Sequence, residues 1–213
     1  MNTFKQPLDP DSVFLPETPS QTAGPYVHIG LALDVAGLPP RDYEIGNRLA
    51  GADAAGQRIE IRGVVLDGDE RPVDDILVEL WQADADGVYP RAFRADNAFN
   101  GFGRAAPGAA DDGRWSFTTI KPGRVPHPDG TAMAPHVNLM LFARGINIHL
   151  HTRLYFDDET EANAKCPFLA RVPGWRRDTL IARRTQDNDA GEPIYEFVVR
   201  LQGGNQETVF FDF

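Results

Sequence analysis

His149-Leu150-His151 is the pair in this 213-residue chain most open to metal chemistry. On a strand, positions i and i+2 face the same way, so both imidazoles could meet one ion. A strand here would gather Ile146, Ile148 and Leu150 on its apolar face and leave Asn147, His149, His151 and Arg153 on the polar one. That placement favours surface or interface histidines over ligands. Arg144 is the second candidate: it follows the apolar run Leu139-Met-Leu-Phe-Ala143 and precedes Gly145 at a turn. Taken alone, an arginine at a hairpin tip reads as a solvated turn residue. His28 and His127 have no ligand partners close in sequence, and no G-x-S-x-G elbow marks a serine nucleophile. The acids at 67–75 and 157–159 lack the alternation of a calcium loop and read as solvated surface.

The elements that must carry these residues are mostly strands. Ile59, Ile61, Gly63 and Val65 alternate with Arg58, Glu60 and Arg62, which is period two with one buried face. Further strands are expected at 76–81 and 114–120, each bounded by Gly or Pro turn signals. A hairpin is expected from 136–143 and 146–156 around Arg144-Gly145, and a second from 194–201 and 207–211 around Gly203-Gly204-Asn205. Helix signals are short: Asp157 to Lys165, and Arg176 to Arg184. The pattern predicts an all-β, mainly antiparallel β-sandwich with short helices and long loops, one domain over 1–213. Residues 1–26 form a proline-rich arm whose later half runs into the apolar Val27-His-Ile-Gly-Leu-Ala-Leu33 and is expected to be pinned.

The formal net charge of −10 argues against nucleic acid or an anionic membrane as partner. It leaves room for an anionic small substrate, because one local arginine outweighs a diffuse negative field. No apolar run approaches a membrane span, and the N-terminal Met1-Asn-Thr-Phe-Lys-Gln has no signal pattern. Cys166 is alone, which excludes an internal disulfide and fits a cytoplasmic location.

The runs VELWQADADGVYP (78–90), FNGFGR (99–104), DDGRWSFTTIKPG (111–123), APHVNLMLFARG (134–145) and HTRLYFDDE (151–159), in this order, resemble the intradiol aromatic-ring dioxygenases. The resemblance covers roughly 15–213 and points to the members built from two homologous chains that act on protocatechuate, 3,4-dihydroxybenzoate. Such an enzyme holds ferric iron with two tyrosines and two histidines. By the resemblance, Tyr89 and His136 match one of each, while Val125 and Asn138 stand at the other two positions. Valine has no lone pair, and an amide oxygen is a poor exchange for imidazole on a hard trivalent ion. The implied reading is a non-iron α-type chain, with Fe(III) bound by a homologous β-type partner in a higher oligomer of αβ pairs.

The same resemblance implies that O2 cleaves the ring between its hydroxylated carbons to give 3-carboxy-cis,cis-muconate, in a pocket between the two chains. This chain would lend Thr22, Ala23, Gly24, Pro25 and Tyr26 as pocket wall and Arg144 as carboxylate anchor. Arg153 is expected at an interface or in an ion pair. Phe210, Phe211 and Phe213 either face an obligate partner or fill the chain's own core. Two other readings fit the residues: a self-sufficient catechol dioxygenase with other ligands, and a non-catalytic sandwich used for assembly or binding.

Overall fold

Strand β1 (Arg58–Leu66) buries Ile59, Ile61 and Val65 while Arg58, Glu60 and Arg62 stay half-exposed, as its alternation demands. The computed structural model describes residues 21–39, 41, 42, 44–94 and 96–212. After β1 come β2 (Leu77–Gln82), β3 (Phe102–Ala105), β4 (Arg114–Ile120), β5 (His136–Phe142), β6 (Leu150–Phe156), β7 (Ile181–Asp187) and β8 (Pro193–Arg200). They join in the order β3-β2-β5-β6-β7-β8-β1-β4. The pairings are antiparallel except β1 with β8 and β6 with β7. Only two residue pairs, Tyr155 with Ile181 and Phe156 with Ala182, link β6 to β7. The sheet turns at this narrow joint and its halves close over one core. Ile59, Phe117 and Val199 from one half meet Val78, Leu80, Leu139 and Leu154 from the other.

Gln82, at the end of β2, ties the halves together from inside. Its amide nitrogen donates to the carbonyls of Ala83 (3.0 Å) and Ile120 (2.9 Å), and its oxygen accepts from Thr119 Oγ1 at 2.8 Å. A buried amide is stable only with its hydrogen bonds made, so these contacts fix where β2 hands over to the loop that follows.

Three expected elements differ in the structure. Residues 176–184 are not a helix: a 3-10 turn covers Gly174–Leu180, and β7 follows. Only Ile181 and Ala182 of β7 sit against the interior, so its exposed run Arg183-Arg184-Thr-Gln-Asp187 shows no alternation to read. Residues 207–211 are not a hairpin strand. They cross from β8, where Thr208 N donates to Arg200 O (3.0 Å), to β6, where Phe211 N donates to His151 O (2.8 Å). On the way Phe210 packs on the main core and Phe211 on a second cluster, so these two rings serve the chain's own packing; Phe213 lies outside the described residues. Finally, β6 begins at Leu150 and not at Ile146, which leaves Ile148 in the connection and 63% exposed. The short helices are α1 (Val27–Leu31) and α2 (Thr160–Lys165).

Candidate functional site

A second cluster caps one end of β5 and β6. It contains Ala83, Val125, Met133, Ala134, Tyr155, Cys166, Leu169 and Leu180, with Tyr89 and Phe168 packed against it. Two glycines bring its loops together. A Cβ on Gly87, at φ +80°, would collide with the Arg124 carbonyl, and one on Gly123 with the Ala85 carbonyl. The turn carrying Tyr89 therefore lies directly on the segment carrying Val125. Met133 N donates to Val125 O at 2.8 Å, which aligns that segment with the strand leading into His136. The even-numbered residues of β5 supply the other two positions, with His136 paired to Tyr155 of β6 and Asn138 to Arg153.

The polar atoms of Asn138 and Tyr89 are engaged with each other and with Arg153. Asn138 Nδ2 donates to Tyr89 Oη at 3.0 Å and to Trp81 O at 3.2 Å. Asn138 Oδ1 accepts from Arg153 Nε at 3.0 Å. The Arg153 guanidinium lies 3.8 Å over the Phe168 ring and reaches Met133 Sδ at 3.6 Å. Val125 is buried and aliphatic.

His136 is 1% exposed, and its Nδ1 donates to Ala134 O at 2.8 Å. A carbonyl only accepts, so Nδ1 carries the proton and the lone pair sits on Nε2, which has no hydrogen-bond partner. Burial, and then the charge of Arg153, hold the imidazole down to about 4. Burial likewise pushes the neighbouring Tyr155 phenol well above its ordinary range.

These residues do not fit a ferric ion. One orphaned imidazole nitrogen is suited to it. Against that stand an aliphatic side chain, a phenol already accepting from an amide, and a guanidinium beside them. Among the described residues, no group of three or more His, Cys, Asp or Glu could hold a metal.

The arm and Arg144 meet elsewhere, at the β5–β6 connection. Thr22 Oγ1 accepts from Gly145 N at 2.7 Å and lies 3.3 Å from Ala143 O and 3.0 Å from Ala23 O. The hydroxyl thus staples residue 22 to the two neighbours of Arg144. Gly24 and Pro25 lead into α1, with Val27 N donating to Gly24 O at 3.2 Å. Tyr26 is 74% exposed, and the Arg144 side chain is 70% exposed with a loose 3.4 Å ion pair to Asp75. Residues 1–20 of the arm lie outside the described residues.

The remaining candidates sit apart. His149 is in the connection, with its ring edge-on to His151 at 5.2 Å and near Phe142 at 5.7 Å. His127 pairs with Asp129 at 2.9 Å. A cavity of about 230 Å³ opens on the outer face beside Asn138, lined by Trp81, Phe102, Met140, His151 and Arg153. A larger cleft of about 560 Å³ near Glu60, Arg62 and Asp111 contains none of the candidate residues.

The contact of Arg153 with Asn138 has no local signature in the sequence. The signal lay in pairing His-x-Asn of β5 with Arg-x-Tyr of β6, which becomes visible only once the register is known.

A sandwich of this topology belongs to the intradiol dioxygenase family: the dioxygenase profile matches residues 40–203. The chain is 58% identical to the protocatechuate 3,4-dioxygenase alpha chain of Pseudomonas putida, over 93% of this chain and 98% of that one. It is 35% identical to the beta chain of the Burkholderia cepacia enzyme, over 78% of this chain and 74% of that one. Among solved structures, catechol 1,2-dioxygenase of Pseudomonas arvilla C-1 aligns with a TM-score of 0.54 at 25% identity, over 73% of this chain and 55% of that one.

Proposed function

We infer that this chain is the iron-free α subunit of a protocatechuate 3,4-dioxygenase and works only when paired with a homologous, iron-bearing β subunit. The observation that carries this reading is the set Tyr89, Val125, His136 and Asn138, tied off by Arg153 where a metal would need open donors. The pairs assemble into a higher oligomer in the cytoplasm, a compartment that suits the buried free thiol of Cys166. The substrate is protocatechuate and the co-substrate O2, with 3-carboxy-cis,cis-muconate as product. The bond-breaking chemistry belongs to the partner's metal site.

This chain's own contribution is to bind and orient. Residues 22–26 and Arg144 form one exposed edge because Thr22 Oγ1 accepts from the N–H of Gly145, the residue after Arg144. Across the subunit interface, Thr22, Gly24, Pro25 and Tyr26 line the pocket, and the Arg144 fork receives the ring carboxylate. The test is Arg144→Ala in the reconstituted pair, assayed with protocatechuate and with a catechol lacking the carboxylate. A charge-assisted hydrogen bond is worth about 1.5–3 kcal/mol, so KM for protocatechuate rises roughly 10- to 150-fold. The carboxylate-free substrate is unaffected. Unchanged KM for both removes Arg144 from the pocket.

A further inference from the structure

We propose that Arg153 is a built-in cation standing in for the lost metal, and that it bars iron from this pocket independently of the missing ligands at Val125 and Asn138. The guanidinium is held from separate segments: Asn138 of β5 at 3.0 Å, Met133 at 3.6 Å and the Phe168 ring at 3.8 Å. Through Asn138 it also reaches the Tyr89 hydroxyl, because the same amide that accepts from Arg153 donates to Tyr89 at 3.0 Å. The hydrogen bonds run in one direction, from guanidinium to amide to phenol. They set which way the amide faces, and they engage the phenol oxygen, one of the two ligand atoms this chain retains.

A trivalent ion entering beside a fixed guanidinium would meet a like charge at short range. Its anionic ligands would find that charge already answered. The Arg153 charge occupies the pocket without metal.

The inference rests on the iron-free reading of this chain, but the two fail separately. Pairs of this chain with its β subunit are prepared as wild type, as R153Q, as V125Y/N138H, and as V125Y/N138H/R153Q. Iron per pair and the tyrosinate-to-iron absorption are measured on each. Wild type, R153Q and the double variant should carry one iron per pair, and the triple variant two, with the absorption rising in step. Two irons in the wild-type pair overturn the iron-free reading itself. Two in the double variant, or one in the triple, overturn the role of Arg153 alone.

Tyrosine at position 125 must fit a buried site, so a second comparison avoids it. N138H and N138H/R153Q pairs are titrated with cobalt(II), which three donors suffice to hold. Binding beyond the wild-type level only when Arg153 is also replaced supports the proposal. Equal binding by the two variants contradicts it.

Discussion

Replacing Thr22 by valine removes one hydroxyl at nearly constant volume. In the folded chain that hydroxyl accepts from Gly145 N at 2.7 Å and donates to one of two carbonyls, Ala143 O at 3.3 Å or Ala23 O at 3.0 Å. The Gly145 bond bridges arm and turn, joined by a second when the proton goes to Ala143, so at about 0.5–1 kcal/mol each on this wet surface the docking loses about 0.5–2 kcal/mol. That corresponds to a roughly 2- to 30-fold fall in the ratio of docked to undocked arm. Where substrate binding needs the docked arm, apparent affinity falls by the docked fraction. KM for protocatechuate in the paired enzyme should therefore rise by up to about 30-fold while its iron content stays constant. Thr22→Ser keeps the hydroxyl and should stay near wild type. Limited proteolysis of the arm gives a readout independent of turnover, with faster cleavage expected for Thr22→Val. The reasoning is refuted if Thr22→Val leaves both KM and cleavage unchanged, or if Thr22→Ser behaves like Thr22→Val.

Two predictions concern stability. His136 is held neutral with its pKa lowered from 6.5 to about 4, so between those values the unfolded chain binds a proton that the folded chain refuses. Its contribution is complete above pH 6.5, declines as pH falls, and is gone below about pH 4. At about 1.4 kcal/mol per pKa unit the loss is on the order of 3 kcal/mol, and denaturant titrations of His136→Gln should lack that part of the acid slope. Lys121 lies 2.8 Å from both Asp158 and Glu159, and Tyr195 Oη donates to Asp158 at 2.8 Å. Burial works against the Lys121 charge, but these carboxylates outweigh it and raise its pKa, while Asp158 is lowered. The network is thus at full strength near neutral pH, weakening in acid as Asp158 protonates and in strong alkali as Lys121 loses its proton. Lys121→Met strands two partly exposed carboxylates and should cost about 2 kcal/mol, read as a Tm lower by roughly 4–8 °C.

Strands with one buried face announce themselves through alternation, and β1, with Ile59 and Ile61 inside, is legible from its letters alone. β7 is not, because its identity comes from pairing: Tyr155 and Phe156 hold its first two residues, and β8 holds the polar run after them, which has no pattern of its own. The C-terminal residues fail for a related reason. Their apolar rings resemble a strand, but the chain uses them to bridge two strands already formed. At the candidate site, the letters and the resemblance singled out Tyr89, Val125, His136 and Asn138. What fills the space was hidden, since Arg153 finds Asn138 across a register, and Phe168 and Met133 come from distant loops. The juxtaposition of Thr22 with the Arg144 turn spans more than a hundred residues and has no sequence signature.

Iron analysis of this chain after separation from its β subunit tests the central claim most directly. The account predicts a colourless chain without iron, and one iron per pair, all of it on the β subunit. About one equivalent of iron in the separated chain, with a tyrosinate-to-iron absorption band, would contradict it.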